Sequence, residues 1–495
     1  MVLPAMLIVL FGCGSGSPPD SGSSTSPPPP AQASQLLTRL STDTFFDNSG
    51  QHATEVEPDL AAFGSTLVAT FQIGRFFGGG STDIGFATST NGGVSWTNGS
   101  LSGITVFAGG AYNAVSDPAV AYDRAHAVWL INSLAIVQTS TVVVSRSPDG
   151  LHWGIPIVIS NSPDADKNWI ACDNGQASPF FGHCYVEWDD PSQKGLIWMS
   201  TSTDGGLTWS PPANTRDMAT GVGGQPVVQP NGTVIVPIQD GSGTHVIAFS
   251  SQDGGANWSS AATVADIGDH LVAGGLRTDA LPSATVDAVG EIYVVWHDCR
   301  FRTGCSSNDV VLSKSSDGIT WTAPVRIPLD DVSSTVDHFI PAIASDPATS
   351  GASAHLAILY YYYPTAACDE TSCALNVGYT NSRDGGNTWS APSLLVGPMS
   401  IDWLANTKTG RMVGDYFAVA YSNSNAFPVF TVARANNGTQ FDEAIYTTSE
   451  PLVQAAVGVS SQSEQPRGEV KSDHGPRRFY DLEHRYPVKP KIQPN

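Results

Sequence analysis

The sequence has few basic residues and few charged residues of any kind. Its 495 residues include 23 Lys and Arg against 45 Asp and Glu, so the formal net charge is −22. A chain of this charge repels phosphate backbones, and because no basic stripe interrupts its main part, nucleic acid is a poor candidate partner. The 49 Gly and 34 Pro residues argue against long helices. With 41 % hydrophobic residues, the chain can still bury a large core, which predicts one large β-rich domain.

Motifs that would hold a metal or a cofactor are also scarce. No Asp-rich loop has the ligand spacing of a calcium-binding hand, so we interpret the acidity as a solvated surface. The Cys residues lack the paired short spacings of a structural zinc site. We therefore expect no cofactor and no metal. Six of the seven Cys residues form local pairs, which predicts three disulfides: Cys172 with Cys184, Cys299 with Cys305, and Cys368 with Cys373.

The N-terminus has a short apolar run that is too short to cross a bilayer. It ends in Gly12-Cys13 and resembles a bacterial lipoprotein signal, which implies residues 1–13 as an export signal with lipidation at Cys13. A plain export signal or a misplaced start is the alternative, because Phe11 is bulky and no basic residue precedes the run. Residues 14–34 are rich in Ser, Gly and Pro and predict a tether. We expect an exported protein, either a cell-surface lipoprotein or extracellular, attached to membrane by a lipid anchor only.

The C-terminal residues 451–495 form a basic tail. Seven of the 23 basic residues lie after position 466, in a stretch without an apolar period. Such a composition predicts a disordered, solubilising extension, and contact with an anionic surface is the alternative. The folded domain is therefore expected within residues 35–450.

A short motif recurs six times along this domain. It begins with Ser, continues through Asp-Gly and ends in Trp; the six copies end at Trp96, Trp153, Trp209, Trp258, Trp321 and Trp389. The first copy has Asn91 in place of Asp. This motif resembles the Asp-box, or BNR repeat, of sialidases and related β-propellers. We expect the Asp carboxylate to accept hydrogen bonds from its own loop, Gly to take a positive φ and Trp to cover the hairpin, with no catalytic role.

Strand patterns around the boxes predict the fold class. Short alternating runs, such as 281–287 and 291–296, precede each box, and another short strand follows most of them. These strands make a four-stranded blade. Six boxes suggest six blades, but residues 414–446 form a further unit without a box, and the segment 36–40 would supply its outer strand. We therefore predict an all-β propeller of seven four-stranded blades, with six as the alternative.

The resemblance also implies candidate site residues around the propeller axis. Sialidases bind a substrate carboxylate with three arginines, attack with a Tyr paired with Glu and use an Asp as acid/base, chemistry that suits an oxocarbenium-like transition state. The candidates for catalysis here are Asp83, Asp117, Asp415 and Tyr416. The candidates for substrate binding are Glu57, Lys167, Arg277, Asp298, Arg300, His338 and Arg411.

The sequence departs from the sialidase pattern at the first of these arginines. Glu55-Val56-Glu57-Pro58 stands where sialidases have Phe or Tyr, then Arg, Ile and Pro. At about 4 Å, a like charge there repels a sialic acid carboxylate by several kcal/mol. We expect a monomeric glycoside hydrolase that acts on a glycan or glycoconjugate, with a sialidase-like fold and a substrate that need not be sialic acid. The alternative is a propeller that binds glycan or protein without catalysis.

Overall fold

The computed structural model describes residues 36–161, 164–436, 440–455, 458–460 and 467. The predicted signal at 1–13 with Cys13, the tether at 14–34 and most of the tail at 451–495 lie outside the described residues. Within the described ranges, no helix has the length and hydropathy that a membrane crossing requires.

The regular elements are antiparallel strands and single turns of 3-10 helix. The strands are β1 (Leu37–Arg39), β2 (Glu55–Phe63), β3 (Thr66–Arg75), β4 (Ser81–Ser89), β5 (Thr97–Ser100), β6 (Ala114–Asp123), β7 (Val128–Ile136), β8 (Ser140–Ser147), β9 (Ile157–Ser160), β10 (Asp166–Cys172), β11 (Cys184–Asp190), β12 (Leu196–Ser202), β13 (Gly221–Val222), β14 (Val227–Val228), β15 (Val234–Asp240), β16 (His245–Ser251), β17 (Ala262–Asp266), β18 (Ser283–Val286), β19 (Ile292–Asp298), β20 (Asp309–Ser315), β21 (Val325–Arg326), β22 (Asp337–Ser345), β23 (Leu356–Tyr363), β24 (Ala374–Ser382), β25 (Thr388–Trp389), β26 (Ser393–Ser400), β27 (Ala405–Thr407), β28 (Gly410–Met412), β29 (Ala418–Ser422), β30 (Asn425–Ala433), β31 (Glu443–Thr448) and β32 (Val459–Ser460). The 3-10 turns are Val106–Ala108, Pro191–Gln193, Thr303–Cys305, Gly351–Ser353 and Ile401–Trp403.

The first strands of successive repeats contact one another in a closed ring. In order around the ring, β2 contacts β6, and the contacts continue through β10, β14, β18, β22 and β29 back to β2. From each of these strands the chain runs outward through antiparallel neighbours, as in β18-β19-β20-β21. This arrangement is a β-propeller, so the predicted all-β propeller class is confirmed.

The predicted number of seven, or six, regular four-stranded blades is not reproduced. Among the described residues, five separate sheets contain four or more strands. The first two repeats form one eight-stranded sheet, because Ser81 of β4 pairs with Val115 of β6. The sheet of β10, β11 and β12 stops at three strands, and Pro211 and Pro212 follow its box, where they offer no N–H to a ladder. Ala213 then makes an isolated bridge to Met199.

The N-terminal strand closes the last sheet, as predicted. Leu37 of β1 pairs with Thr448 of β31, in a sheet ordered β1-β31-β30-β29. The backbone N–H of Leu40 continues the pairing to the carbonyl of Ile445 at 2.8 Å. The start and the end of the domain therefore share one sheet, and β31 is not left as an open edge.

The hydrophobic core lies between the faces of neighbouring sheets. In one cluster, Val142 and Val144 of β8 are fully buried together with Val186 and Trp188 of β11. The three predicted disulfides are present, joining Cys172 to Cys184, Cys299 to Cys305 and Cys368 to Cys373. The Cys172–Cys184 bond joins residues that face each other on β10 and β11.

The Asp-boxes form hairpins that cap themselves, as expected. Oδ1 of Asp149 accepts hydrogen bonds from the backbone N–H groups of Leu151 and His152, each at 2.9 Å. Gly150 has a φ of 75°, a conformation that favours glycine. Indole Nε1 of Trp153 donates to the Gly150 carbonyl at 3.2 Å, so the ring closes the turn. Each contact stays within the hairpin, which is consistent with a structural role.

Candidate functional site

Four strands of the inner ring carry a β-bulge that redirects one side chain. The pairing register shifts within β2, β6, β10 and β22. At each shift one residue other than glycine has a positive φ: Glu57 at 53°, Asp117 at 49°, Lys167 at 45° and Ile340 at 46°. In a regular strand, successive side chains point to opposite faces of the sheet. A bulge interrupts this alternation and redirects one side chain. Three of the four residues precede proline, which contributes no N–H to the ladder.

Three carboxylates surround the ammonium group that one of these bulges presents. Nζ of Lys167 lies 2.9 Å from Oδ1 of Asp117 and 3.3 Å from Oε1 of Glu57. It also forms an ion pair with Asp415. The Lys167 side chain is 8 % exposed and each carboxylate is less exposed still. Because water screens such charges poorly, they form a strongly coupled buried cluster, here called the Lys167 cluster.

A second cation completes this cluster. Nε of Arg277 donates to Oδ1 of Asp415 at 2.8 Å, and Nη2 contacts the other carboxylate oxygen, which makes the pair bidentate. The backbone N–H of Asp415 donates to Oε1 of Glu57 at 3.2 Å. Gly414, with a φ of 136°, permits this approach, because a Cβ there would lie 2.8 Å from Cα of Glu57. A larger residue would push the Asp415 turn away from Glu57.

Two neutral side chains that the sequence analysis did not single out orient the carboxylates. Nε2 of Gln72 donates to Oε2 of Glu57, and Oε1 of Gln72 accepts from Nη1 of Arg75 at 3.0 Å. Oγ of Ser116 donates to Oδ2 of Asp117 at 2.6 Å. The available sequence signal for Gln72 was a long polar side chain within the otherwise apolar centre of β3. Ser116 has no such signal.

Two carboxyl groups of the cluster, Glu57 and Asp415, have pKa values that are shifted in opposite directions. Burial raises the pKa of Glu57 to about 7, against the opposing effect of the Lys167 charge. Burial acts in the same direction on Asp415, but the charges of Arg277 and Lys167 outweigh it and hold that pKa below its usual range. For Lys167, burial is outweighed by the three carboxylates, which raise its pKa. At neutral pH, Glu57 therefore carries a proton for part of the time while Asp415 is ionised.

Tyr416 lies next to the Lys167 cluster, and its hydroxyl already makes a hydrogen bond. Its Oη donates to the carbonyl of Pro118 at 3.0 Å, and its ring meets Trp169 edge-on at 4.9 Å between centroids. Nζ of Lys167 lies 6.0 Å from the centre of the Tyr416 ring. Burial, reinforced by the nearby charge of Glu57, raises the pKa of Tyr416 well above its usual value. The phenol is therefore neutral at physiological pH.

Three further acids, Glu187, Asp83 and Asp189, are buried close to the inner strands. In the part of the chain that the structure describes, neither carboxylate oxygen of Glu187 or of Asp83 accepts a hydrogen bond, nor does Oδ1 of Asp189. Burial raises the pKa of each well above its usual range. Asp189 lies within electrostatic reach of Lys167 and Asp117, whereas Asp83 is not hydrogen-bonded to the cluster. Burial therefore favours the neutral form of each group.

Two of the predicted binding residues pair with each other outside the cluster. Nε and Nη2 of Arg300 contact the two carboxylate oxygens of Asp298 at 2.9 and 2.7 Å. The indole of Trp296 and the backbone N–H of Gly268 also donate to this carboxylate. These contacts fix the connection after β19, next to the Cys299–Cys305 disulfide.

The other two predicted binding residues, Arg411 and His338, contact backbone carbonyl groups. Nη1 of Arg411 donates to the carbonyl of Leu404 at 2.9 Å, within the segment that contains β27 and β28. Nδ1 of His338 lies 3.3 Å from the carbonyl of Asn308, and burial lowers the pKa of the imidazole. The structure therefore gathers Glu57, Asp117, Lys167, Arg277, Asp415 and Tyr416, and it places Asp298, Arg300, His338 and Arg411 in other contacts.

One group of side chains has the spacing of a metal site. Within the described ranges, only Asp309, Asp330 and His338 bring three ligand atoms within 4.8 Å of one another. Arg302 contacts Asp309 at 2.5 Å and Asp330 at 2.9 Å, and Nε of Arg326 lies 2.8 Å from Asp309. Two guanidinium groups already supply the positive charge that a cation would bring, so this donor set does not fit a metal.

Two cavities follow the axis next to the cluster. A small one, of about 20 Å³, is lined by Lys167, Asp415 and Tyr416 together with Gln225 and Ile340. A larger one, of about 300 Å³, lies further along the same inner strands, where Asp59 and Ser345 line it. Trp169, Gln225 and Ser283 border both cavities. The cavity immediately beside the Lys167 cluster is therefore the smaller of the two.

Comparisons with known proteins found one family match and several similar solved structures. A family model described as BNR repeat-like domain matches residues 180–341. No curated protein sequence matches the chain. Similar solved structures include a Hadza microbial sialidase, at 15 % identity over 78 % of this chain and 73 % of that one, with a TM-score of 0.43. An ulvan lyase shares 12 % identity over 83 % of this chain and 95 % of its own, with a TM-score of 0.49.

The intramolecular trans-sialidase from Ruminococcus gnavus is also similar in structure. It shares 13 % identity over 78 % of this chain and 92 % of its own length, with a TM-score of 0.38. The predicted resemblance rests on the six boxes and on the family match, which covers three of them. Residues 180–341 are therefore similar to a BNR repeat-like domain, in agreement with the boxes found in the sequence.

Proposed function

We propose that the protein acts on glycans and that the Lys167 cluster is the centre of its activity. The observation that carries this proposal is the gathering of three carboxylates, two of which, Glu57 and Asp415, have pKa values shifted in opposite directions. Glu57 has a pKa of about 7, whereas Asp415 is held ionised by Arg277 and Lys167. A protonated and an ionised carboxyl group side by side are what glycoside hydrolysis requires.

The roles follow from these protonation states. Glu57 is the group that gives its proton to the glycosidic oxygen, and Gln72 orients it through Oε2. Asp415, which is held ionised, is the partner that attacks the anomeric carbon or activates water, and Asp117 is the alternative for this role. Tyr416 is disfavoured as nucleophile, because its hydroxyl is neutral and donates to the carbonyl of Pro118.

The substrate is proposed to be a glycan other than a simple α-sialoside. Glu55 and Glu57 occupy the place of the first sialidase arginine, and Arg277 is already paired with Asp415. Export through the signal at 1–13, lipidation at Cys13 and a monomeric state belong to the same proposal. The three disulfides support an oxidising compartment outside the cytosol.

The test is turnover of a panel of aryl glycosides and fluorogenic sialosides by the full-length protein, with Glu57→Gln and Lys194→Gln variants in parallel. Lys194 is exposed and far from the carboxylates in sequence, so it controls for the loss of a charge. We expect hydrolysis of at least one glycoside, little of any sialoside, and a loss of about 100-fold or more in Glu57→Gln. Robust sialoside turnover would overturn the substrate proposal.

A non-catalytic glycan-binding propeller is the second candidate. It is favoured by the observation that Glu57, Asp117, Lys167 and Asp415 satisfy one another. A cluster with its charges already balanced offers no ionised group to a substrate without rearranging. Binding to a glycan array without turnover of any aryl glycoside would establish this alternative.

A further inference from the structure

One of the three disulfides contacts the connection that carries Arg277. Cys368 and Cys373 lie between β23 and β24, and their disulfide closes a short loop, with a sequence separation of 5. Arg277, which binds Asp415 of the Lys167 cluster, lies in the connection between β17 and β18. The disulfide and the arginine are therefore remote in sequence, and their relationship depends on how these two connections meet.

The backbone of Gly274 packs against a sulfur atom of this disulfide. Gly274 has a φ of 73°, and a Cβ built on it would lie 2.9 Å from Sγ of Cys373 and 3.5 Å from Cγ1 of Ile401. A residue with a side chain could not approach the sulfur so closely at this φ. Cys373 is buried in the same hydrophobic cluster as Leu276. The disulfide therefore forms part of the surface on which the Arg277 connection rests.

The loop that the disulfide closes also contacts the next glycine. A Cβ at Gly275 would lie 3.6 Å from Oε1 of Glu370, an ordinary contact distance. The backbone N–H of Cys373 donates to the Asp369 carbonyl at 2.9 Å, and Oγ of Ser372 donates to Oδ1 of Asp369 at 2.7 Å. These hydrogen bonds hold the loop in one shape, so it presents a defined surface to the two glycines.

Two backbone hydrogen bonds connect this contact to Arg277. The N–H of Arg411 donates to the Gly275 carbonyl at 2.9 Å, and the N–H of Arg277 donates to the Arg411 carbonyl at 2.7 Å. The Arg277 side chain, which is 11 % exposed, then binds both carboxylate oxygens of Asp415. A bidentate pair requires a fixed geometry. Because Arg277 lies only three residues after Gly274, a shift of the glycine backbone displaces the guanidinium from the carboxylate.

We propose that the Cys368–Cys373 disulfide is a redox-sensitive support that positions Arg277 on Asp415, so that the Lys167 cluster is complete only in the oxidised protein. Cys368 is half-buried and Cys373 is buried, so Sγ of Cys368 is the atom that an external thiolate attacks. In the reduced protein, Gly274 loses its fixed neighbour and the Arg277–Asp415 pair loosens.

The reduction is a two-electron exchange with a dithiol. A thiolate of the dithiol bonds to Sγ of Cys368, and the S–S bond breaks to release Cys373 as a thiolate. The second thiolate of the dithiol then attacks the sulfur of the first and releases Cys368. Both cysteine thiolates take up a proton, and the dithiol is oxidised to a cyclic disulfide.

The consequence for glycan turnover rests on the proposed function, whereas the position of Arg277 can be measured without any glycan. Phenylglyoxal adds to accessible, unpaired guanidinium groups, and peptide mass spectrometry of the full-length protein gives its rate of reaction at each arginine. Arg302 is the internal control, because it is 1 % exposed, pairs with Asp309 and lies outside the Arg277 connection. Circular dichroism verifies that each variant is folded.

Two disulfide variants are compared with the wild type in the absence of reductant. Cys368→Ala/Cys373→Ala removes the support, and Cys172→Ala/Cys184→Ala removes the disulfide between β10 and β11 as the matched control. We expect the first variant to raise the rate at Arg277 at least about fivefold through local opening. The rate at the internal control should stay unchanged, and the matched control variant should react as the wild type does.

A second pair of variants leaves every cysteine in place and tests the proposal even if the cysteine variants do not fold. Gly274→Ala and Gly275→Ala both place alanine at a positive φ, 73° and 66°. The first Cβ would meet Sγ of Cys373 at 2.9 Å, whereas the nearest neighbour of the second would lie at 3.6 Å. We therefore expect Gly274→Ala to raise the rate at Arg277 and Gly275→Ala to leave it near the wild-type value.

Treatment of the wild type with dithiothreitol should give the same rise at Arg277 once Cys368 and Cys373 are detected as free thiols. A wild-type rate at Arg277 in the reduced protein, or in folded Cys368→Ala/Cys373→Ala, would overturn the proposal. An equal rise at Arg302 would indicate general loosening and would overturn it as well. None of these results bears on the proposed function, because no glycan enters the measurement.

Discussion

Lys167 and Asp117 are separated by 50 residues in the chain and meet at 2.9 Å beside the propeller axis. Each occupies the bulge of a different inner strand, with a positive φ that few residues other than glycine adopt. The backbone strain at both positions is offset by the ion pair that it makes possible. Bulges of this kind place charged side chains at the axis, where a regular strand would direct them into a sheet face.

Replacing the central cation should destabilise the fold strongly. In Lys167→Met, three buried carboxylates lose their shared partner, so we expect the free energy of unfolding to fall by about 3–5 kcal/mol. Urea unfolding followed by tryptophan fluorescence measures the change. The exposed Lys194, altered to Met in the same way, should change stability by less than about 0.5 kcal/mol. Equal stability of the two variants would mean that the carboxylates are neutral in the folded protein.

Stability should decrease as the pH rises from about 4.5 to about 7. Burial raises the pKa of Glu57 to about 7, so over this range the folded state keeps a proton that the unfolded state has released. The free energy of unfolding that this proton contributes is therefore lost as the pH rises from the ordinary pKa of about 4.5 to the folded-state pKa of about 7. The expected measurement is a set of urea midpoints across this pH range, with a shallower fall in Glu57→Gln. If the urea midpoints of Glu57→Gln fell with pH as steeply as those of the wild type, other buried acids would be responsible for the pH dependence.

The Asp-box carboxylates should contribute to stability and not to chemistry. Oδ1 of Asp204 accepts from the N–H groups of Leu207 and Thr208 at 3.0 and 2.9 Å. The Asp204→Ala substitution removes this carboxylate, so both N–H groups lose their acceptor. We expect the free energy of unfolding to fall by about 1–2 kcal/mol. Activity or glycan affinity should be unchanged, and the exposed Asp402→Ala serves as the control. A loss of activity in folded Asp204→Ala would contradict the structural assignment.

Removal of the N-terminal strand should open the last sheet. Deleting residues 35–44 removes β1 and also Ser41, whose hydroxyl donates to Glu55 at 2.6 Å and accepts from the N–H of Ile445 at 2.8 Å. We expect the midpoint of thermal unfolding to fall by about 5 °C or more. A truncation that removes only residues 1–34 is the control. Similar melting of the two proteins would show that β1 is dispensable.

The repeats made the fold class predictable from sequence. The box that contains Asp149, Gly150 and Trp153 makes its hydrogen bonds within a segment of seven residues. Its geometry therefore depends on the local sequence alone. The disulfides were predictable for the same reason, since each closes a loop of at most 12 residues in sequence separation. Blade regularity was not predictable, because the single Ser81–Val115 pair that merges two repeats depends on how neighbouring sheets approach.

The sequence by itself determined the propeller, its capped hairpins, its disulfides and a set of polar candidates at the starts of inner strands. It did not distinguish Lys167, which joins the cluster, from Arg300, which pairs with Asp298 two residues away. That difference depends on distances between residues remote in sequence and on the burial that raises the pKa of Glu57. Only the tertiary structure decides these quantities, because electrostatic coupling and desolvation arise once the strands have packed around a common axis.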